Sequence, residues 1–219
     1  MAFKVRKFFQ KKWKHVKGLF CCCARRVDED EKNIPTCDEA APVETVRVEV
    51  SCPVYHEEQV ELQCALHAVN GVLQDSVFEA ENFNDIARQL DKDEAEIGEF
   101  SEISQNYAPG GNYSIQVITV ALDLCFLELI PFNHSSDPRA AAARRNTSTA
   151  GAYILNRDNH WYAFRRIGSN WYNLNSLLPG PKRMAVKGKH LRILTPQYIA
   201  SLQGLFIVAG DLPTGRRKT

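Results

Sequence analysis

Apolar residues recur three or four positions apart in the first half of the chain, which is the period of a helix with one buried face. Three segments show this pattern: residues 62–73, 83–90 and 115–125. Ser114 directly precedes the third segment and can cap it, and a Pro-Gly-Gly run at 109–111 separates it from the second. We therefore predict three helices between residues 62 and 125.

The second half changes to short runs of aromatic and β-branched residues, which are typical of strands. We predict strands at residues 126–130, 152–155, 161–167, 171–174 and 205–209, with a hairpin turn at Gly168-Ser169-Asn170. Because the helices come first and the strands follow, the order predicts an α+β fold in which N-terminal helices pack on a largely antiparallel sheet.

Two further segments lie between the predicted strands. Thr195 can cap a short helix over residues 197–202, because the proline that follows it fits the first position of a helix. Residues 134–150 contain an alanine-rich run flanked by arginines, and we interpret them as an excursion on the surface of the domain.

The net charge of +1 over 219 residues conceals a strong asymmetry. Residues 1–26 hold nine lysines and arginines and no acid, whereas residues 27–212 hold 15 basic and 26 acidic residues. We predict a basic amphipathic helix over residues 1–26, an acidic and polar linker over 27–50, a folded domain over 51–213 and a basic tail over 214–219. The apolar face of the first helix is formed by Val5, Phe9, Trp13, Val16 and Phe20.

The number and spacing of the cysteines limit the classes of protein to which the chain can belong. The seven cysteines are odd in number, contain no CxxC pair and include the consecutive Cys21, Cys22 and Cys23. This argues against a disulfide scaffold and against a metal site built on cysteine pairs, and it favours a reducing compartment. The sequence also has no apolar run long enough to span a bilayer and no secretory signal.

Three residues suggest nucleophilic catalysis. Cys64 lies near the start of a predicted helix, where the helix end favours a thiolate, and Gln59 precedes it by five residues. His160 begins a predicted strand, and Asn175 follows the strand with which it forms a hairpin. Taken singly, these residues are more often a core cysteine, a strand-end histidine and a turn former. Their combination is typical of a papain-type Cys-His-Asn site.

The sequence motifs around Cys64, His160 and Asn175 resemble those of the Josephin family of deubiquitinases. The match runs from about Pro53 to Pro213 and includes QVELQCALH at 59–67, SIQVI at 114–118, NHWY at 159–162 and WYNLNSLL at 171–178, with a segment at 173–181 like that of the ataxin branch. The resemblance implies a papain-like cysteine peptidase that hydrolyses isopeptide bonds at the C-terminus of ubiquitin, without a metal or other cofactor.

By motif position, the resemblance implies a role for each site residue. Cys64 would be the nucleophile, His160 the general base and Asn175 the residue that orients the histidine. Gln59 would donate a hydrogen bond to the oxyanion, together with the backbone N–H of Cys64. A surface that contacts ubiquitin or ubiquitin chains would include Ile115, Gln116 and Trp161. His67, one helical turn after Cys64, we assign to packing or to a structural hydrogen bond.

The basic N-terminal segment suggests a membrane tether. Its cations favour an anionic membrane surface, its aromatic residues can enter the interface, and Cys21, Cys22 and Cys23 are candidates for S-palmitoylation. The three consecutive cysteines favour attachment at the cytoplasmic face of a membrane. A mitochondrial presequence, a nuclear-targeting segment and a calmodulin-binding helix are the alternatives, and we expect no nucleic-acid partner.

These observations favour a cytoplasmic deubiquitinase tethered to a membrane. Two alternatives remain open from the sequence: a papain-like hydrolase that acts on a ubiquitin-like modifier, and a ubiquitin-binding module with weak catalysis. Reaction with a ubiquitin that carries a thiol-reactive C-terminus separates them.

Overall fold

The computed structural model describes residues 54–98, 103–188 and 190–214. The predicted helix at 1–26, the linker at 27–50 and nearly all of the basic tail lie outside these residues. Their predicted boundaries therefore stay predictions. Within the described residues no helix is both long and apolar enough to cross a membrane.

The three predicted helices are confirmed. They are α1 (Cys64–Leu73), α2 (Ala80–Glu96) and α3 (Ile115–Leu124). The Ser114 hydroxyl accepts a hydrogen bond from the backbone N–H of Val117, as predicted for the cap of α3. Helix α1 starts two residues later than predicted, because Glu61 takes a positive φ of 50° and breaks the helical path before Cys64.

The strands form one six-stranded sheet and two short two-stranded ribbons. The strands of the large sheet are β3 (Glu128–Pro131), β4 (Ala152–Arg157), β5 (His160–Ile167), β6 (Asn170–Leu174), β7 (Lys182–Met184) and β10 (Gly204–Ala209). They lie in the order β3-β10-β4-β5-β6-β7, and every neighbouring pair is antiparallel. The ribbons pair β1 (Tyr107–Ala108) with β2 (Asn112–Tyr113) and β8 (Val186–Lys187) with β9 (His190–Leu191). The predicted α+β class is confirmed.

Both faces of the sheet are covered. Successive residues of β4 point to opposite faces, so Ile154 packs in the core under α1 while Tyr153 and Leu155 pack in a second core. Helix α1 is buried along its whole length against β5 and α3. This central position makes the first residue of α1 a fixed point relative to the sheet.

The interpretation of residues 134–150 as a surface excursion is wrong. The structure places a helix there, α4 (Pro138–Arg145), capped by the carboxylate of Asp137. Ala140 and Ala143 are fully buried in the second core. Alanine gives only a weak apolar signal, so this contact was not visible in the pattern. The short helix α5 (Pro196–Ala200), capped by Thr195, is confirmed and ends two residues earlier than predicted.

Candidate active site

Cys64 is the first residue of α1, and its thiol meets the start of β5. The side chain is only 4% exposed. The backbone N–H of Trp161 donates to Sγ at 3.4 Å. His160 is the residue before Trp161, so the predicted nucleophile lies beside the backbone segment that carries the predicted base. The sheet and the central helix create this contact across 97 residues of sequence.

His160 is hydrogen-bonded to Asn175, just beyond the end of β6. Asn175 Oδ1 accepts the backbone N–H of Leu177 at 3.0 Å, which identifies this atom as the oxygen of the amide. His160 Nε2 lies 2.7 Å from the same oxygen, so Nε2 carries a proton and donates it. The ring also stacks on Tyr162, with centroids 5.8 Å apart. In neutral imidazole this leaves Nδ1 as the basic nitrogen.

Gln59 lies in the extended segment that leads into α1 and is bound to the segment after Asn175. Its backbone N–H donates to the Ser176 carbonyl at 2.8 Å, and the Ser176 hydroxyl donates to Gln59 Oε1 at 3.0 Å. Nε2 of the same amide donates one of its two protons to the carbonyl of Glu61 at 2.8 Å. The fold therefore ties Gln59 to the residue that follows Asn175.

The glycines before α3 allow a turn to approach the start of α1. The backbone N–H of Leu62 donates to the Gly110 carbonyl at 2.9 Å. A side chain on Gly111 would place its Cβ 2.7 Å from Cγ of Gln63, and Gly111 has a positive φ of 104°. Only glycine satisfies both conditions, so this turn can support the residues directly before Cys64.

Comparison with known proteins now identifies the family. A family model described as Josephin matches residues 59–209, which include every residue of this arrangement. The chain belongs to the Josephin family.

Curated relatives support the same assignment. The Josephin chain is 38% identical over 164 residues to the ataxin-3 homolog of Caenorhabditis briggsae, covering 73% of this chain and 50% of that protein. It is 36% identical over 172 residues to ataxin-3 of Homo sapiens, with coverage of 73% and 46%. The Arabidopsis thaliana ataxin-3 homolog is 32% identical over 177 residues, with coverage of 73% and 60%. The chain spans about half the length of the curated relatives it matches.

The thiol of the Josephin cysteine is held in a desolvated position. Burial raises the pKa of Cys64 above its usual value, and backbone N–H groups of Trp161, Ala65 and Cys64 oppose that rise only in part. The start of a helix alone therefore does not lower the pKa of this thiol. A stable thiolate at this position needs a neighbouring cation.

The residues predicted to contact ubiquitin do not form one exposed surface. Gln116 is exposed and Ile115 is half-buried at the start of α3. Trp161 is only 8% exposed, and its indole N–H donates to the Tyr113 carbonyl at 3.3 Å. The expectation that Trp161 presents a contact surface is corrected, because its ring belongs to the core under α1. Its indole instead links the start of β5 to the residues before α3.

A polar cluster that the sequence pattern did not predict lies against α1 of the Josephin domain. Glu57 accepts hydrogen bonds from His67, Asn70 and Tyr55, and we call these four residues the Glu57 cluster. The assignment of His67 to a structural hydrogen bond is confirmed. The only signal in the sequence was the presence of His67 and Asn70 on an otherwise apolar helix. Among the described residues, no group of three or more His, Cys, Asp or Glu side chains could hold a metal ion.

Proposed function

We propose that this chain is a thiol-dependent deubiquitinase that hydrolyses isopeptide bonds at the C-terminus of ubiquitin. The observation that carries the proposal is the arrangement around Cys64. The His160–Asn175 hydrogen bond of 2.7 Å orients the imidazole, and the Trp161 N–H brings the start of β5 to Sγ. Membership of the Josephin family supports ubiquitin as the substrate.

The chemistry begins with transfer of the Cys64 proton to Nδ1 of His160. Sγ attacks the carbonyl carbon of the terminal glycine of ubiquitin, and the carbonyl oxygen becomes an oxyanion. The C–N bond to the substrate lysine then breaks, and the imidazolium gives its proton to the departing amine. A thioester between ubiquitin and Cys64 remains. Water, deprotonated by the same histidine, hydrolyses this thioester and releases ubiquitin.

The imidazolium of His160 supplies the cation that the buried thiolate requires. Desolvation raises the pKa of Cys64, so the neutral thiol is favoured until charge arises beside it. Asn175 accepts the Nε2 proton of His160 in both protonation states, because that nitrogen carries a proton in each. The pair can therefore gain a proton on Nδ1 without turning the ring.

The oxyanion would be bound by the backbone N–H of Cys64 and by the amide of Gln59. Nε2 of Gln59 has a second proton beyond the one that bonds to the Glu61 carbonyl. A donor of this kind typically accounts for about 10²–10³ in kcat. Gln116, exposed on α3, is the side chain of the predicted ubiquitin surface that can contact the body of ubiquitin directly.

A ubiquitin that carries a C-terminal thiol-reactive group tests the proposed function. The full chain is expected to form a covalent adduct with it, and peptide mapping is expected to place the adduct on Cys64. The matched control is Cys125→Ser, which removes a second cysteine that is buried and 5% exposed and should label normally. Preferential labelling by an equivalent probe made from a ubiquitin-like modifier would indicate that this modifier, and not ubiquitin, is the substrate. A chain that binds ubiquitin without reacting would instead be a binding module.

We further propose that residues 1–26 attach the enzyme to the cytoplasmic face of a membrane. The proposal rests on the sequence alone: nine cations without an acid, five aromatic residues, and the Cys21-Cys22-Cys23 run. Charge would start the encounter and weaken with salt, and acyl chains would make it lasting, since each buried methylene adds about 0.8 kcal/mol.

Replacing Cys21, Cys22 and Cys23 together with serine is expected to move the protein from the membrane fraction to the cytosol. Activity on a small ubiquitin substrate in solution should not change, because the tested cysteines lie far from Cys64 in sequence and outside the catalytic domain. Cell fractionation of both forms measures the shift, and Cys37→Ser serves as the matched control. Equal partitioning of the triple variant and the wild type would contradict acylation as the anchor.

A further inference from the structure

The Glu57 cluster connects the segment before α1 to α1 itself. Glu57 lies on the segment and is 20% exposed, whereas His67 lies one turn after Cys64 on α1 and is 9% exposed. Nδ1 of His67 is 2.7 Å from Glu57 Oε2. The amide of Asn70 donates to both carboxylate oxygens, at 3.3 and 3.4 Å, and Tyr55 donates through its hydroxyl.

The protons of this cluster can be assigned from its neighbours. The backbone N–H of Val60 donates to Nε2 of His67 at 3.3 Å, so Nε2 carries no proton. His67 is therefore neutral and donates its Nδ1 proton to Glu57. Burial acts to raise the pKa of Glu57, but its neighbours, chiefly the hydrogen bonds from His67 and Tyr55, hold that pKa below its usual value. Glu57 is thus an ionised acceptor near neutral pH.

One further hydrogen bond of the cluster reaches the neighbour of Gln59. His67 holds the N–H of the peptide that joins Gln59 to Val60. On the other side, the Ser176 carbonyl accepts the backbone N–H of Gln59, and the Ser176 hydroxyl donates to the side-chain oxygen of Gln59. Gln59 is therefore fixed between α1, which carries the nucleophile, and the segment that follows Asn175. A displacement of about 1 Å at such a donor can cost a hundredfold in rate.

We propose that Glu57 and His67 are positioning residues that hold Gln59 in place as the oxyanion donor, through the backbone N–H of Val60. Glu57 fixes the tautomer and the orientation of His67, and His67 fixes the backbone beside Gln59. Neither side chain reaches the reacting atoms. This inference rests on the proposed function for the role of Gln59, but it concerns the oxyanion alone and makes no reference to ubiquitin.

Two small reagents that react with the Cys64 thiol distinguish a positioning role of the Glu57 cluster from a general structural role. Attack of the Cys64 thiolate on p-nitrophenyl acetate forms an S–C bond, passes through an oxyanion and expels p-nitrophenolate, leaving a thioester. Alkylation by iodoacetamide forms an S–C bond and expels iodide without an oxyanion. Loss of the Glu57 cluster should therefore slow acylation and spare alkylation. Both rates are measured on the Cys64 peptide, with Cys64→Ala as the blank for the other cysteines.

His67→Ala in the full chain is expected to slow acylation of Cys64 by about 10–100-fold, part of the loss typical of an oxyanion donor. Alkylation by iodoacetamide should stay within about twofold of the wild-type rate. His67→Gln, which returns an acceptor for the Val60 N–H, should recover part of the acylation rate. Should His67→Ala fail to fold, Glu57→Gln provides the same comparison, because it keeps the size of the side chain and removes its charge.

A double-mutant cycle with Gln59→Ala decides whether His67 acts through Gln59. If it does, Gln59→Ala/His67→Ala should acylate no more slowly than Gln59→Ala alone, within about twofold. Losses that multiply would overturn the proposal, as would an equal fall in acylation and alkylation. Because p-nitrophenyl acetate is the substrate, the cycle gives its answer even if the chain does not hydrolyse ubiquitin conjugates. Failure of the ubiquitin probe and failure of this cycle are thus separate results.

Discussion

Cys64→Ala is expected to abolish hydrolysis of ubiquitin conjugates, with a fall in kcat on the order of 10⁴–10⁶. The physical reason is that, in the part of the chain that the structure describes, no second cysteine is placed to form the thioester. Cys125, the second cysteine among the described residues, is 5% exposed, and burial raises its pKa to about 12. It is therefore neither accessible nor ionised near neutral pH. The measurement is the steady-state cleavage of a di-ubiquitin or of a fluorogenic ubiquitin amide.

The fold should survive this substitution. Alanine favours the first turn of α1, and the substitution removes only one sulfur atom at the end of that helix. Circular dichroism and the thermal midpoint should therefore stay close to those of the wild type. Cys125→Ala is the matched control, since it removes the same atom from a buried position that the mechanism does not use. Full hydrolysis by a folded Cys64→Ala protein would remove Cys64 from the mechanism.

Local patterns predicted most of the longer elements of this fold but not their spatial order. Helices α1 to α3 and the hairpin of β5 and β6 are encoded by neighbouring residues, and each was found where it was expected. The position of β10 between β3 and β4 was not visible, because it joins segments far apart in sequence. Helix α4 was missed because it is buried through Ala140 and Ala143, which give little periodic signal.

The candidate site shows the same division. Cys64, His160 and Asn175 stand at the ends of regular elements, so their approach could be predicted from helix and hairpin geometry. The face of the strand to which each side chain points could not be predicted from the sequence. His160 and Trp161 point to opposite faces of β5, which puts the indole in the core rather than on a contact surface. The Glu57 cluster depends on an extended segment folding back on α1, and no local pattern encodes that contact.

Asn175→Ala is expected to lower kcat less than His160→Ala does. His160 moves protons in both halves of the reaction, and general acid–base catalysis of this kind typically accounts for about 10²–10⁴ in rate. Asn175 moves none. Its loss removes the acceptor 2.7 Å from Nε2 and frees the ring to turn, for which about 10–100-fold is expected. KM should change little in either variant, because neither side chain is proposed to bind the body of ubiquitin.

Two further variants make the comparison specific. Asn175→Asp keeps an acceptor for His160 and for the N–H of Leu177, so it should retain more activity than Asn175→Ala. His190→Ala, at an exposed position of β9, controls for loss of a histidine that the mechanism does not use. Steady-state kinetics on one ubiquitin substrate, with thermal midpoints for every protein, gives the order. If Asn175→Ala is folded and slower than His160→Ala, then orientation of the ring contributes more than its proton transfer, and the roles of the two residues must be reassigned.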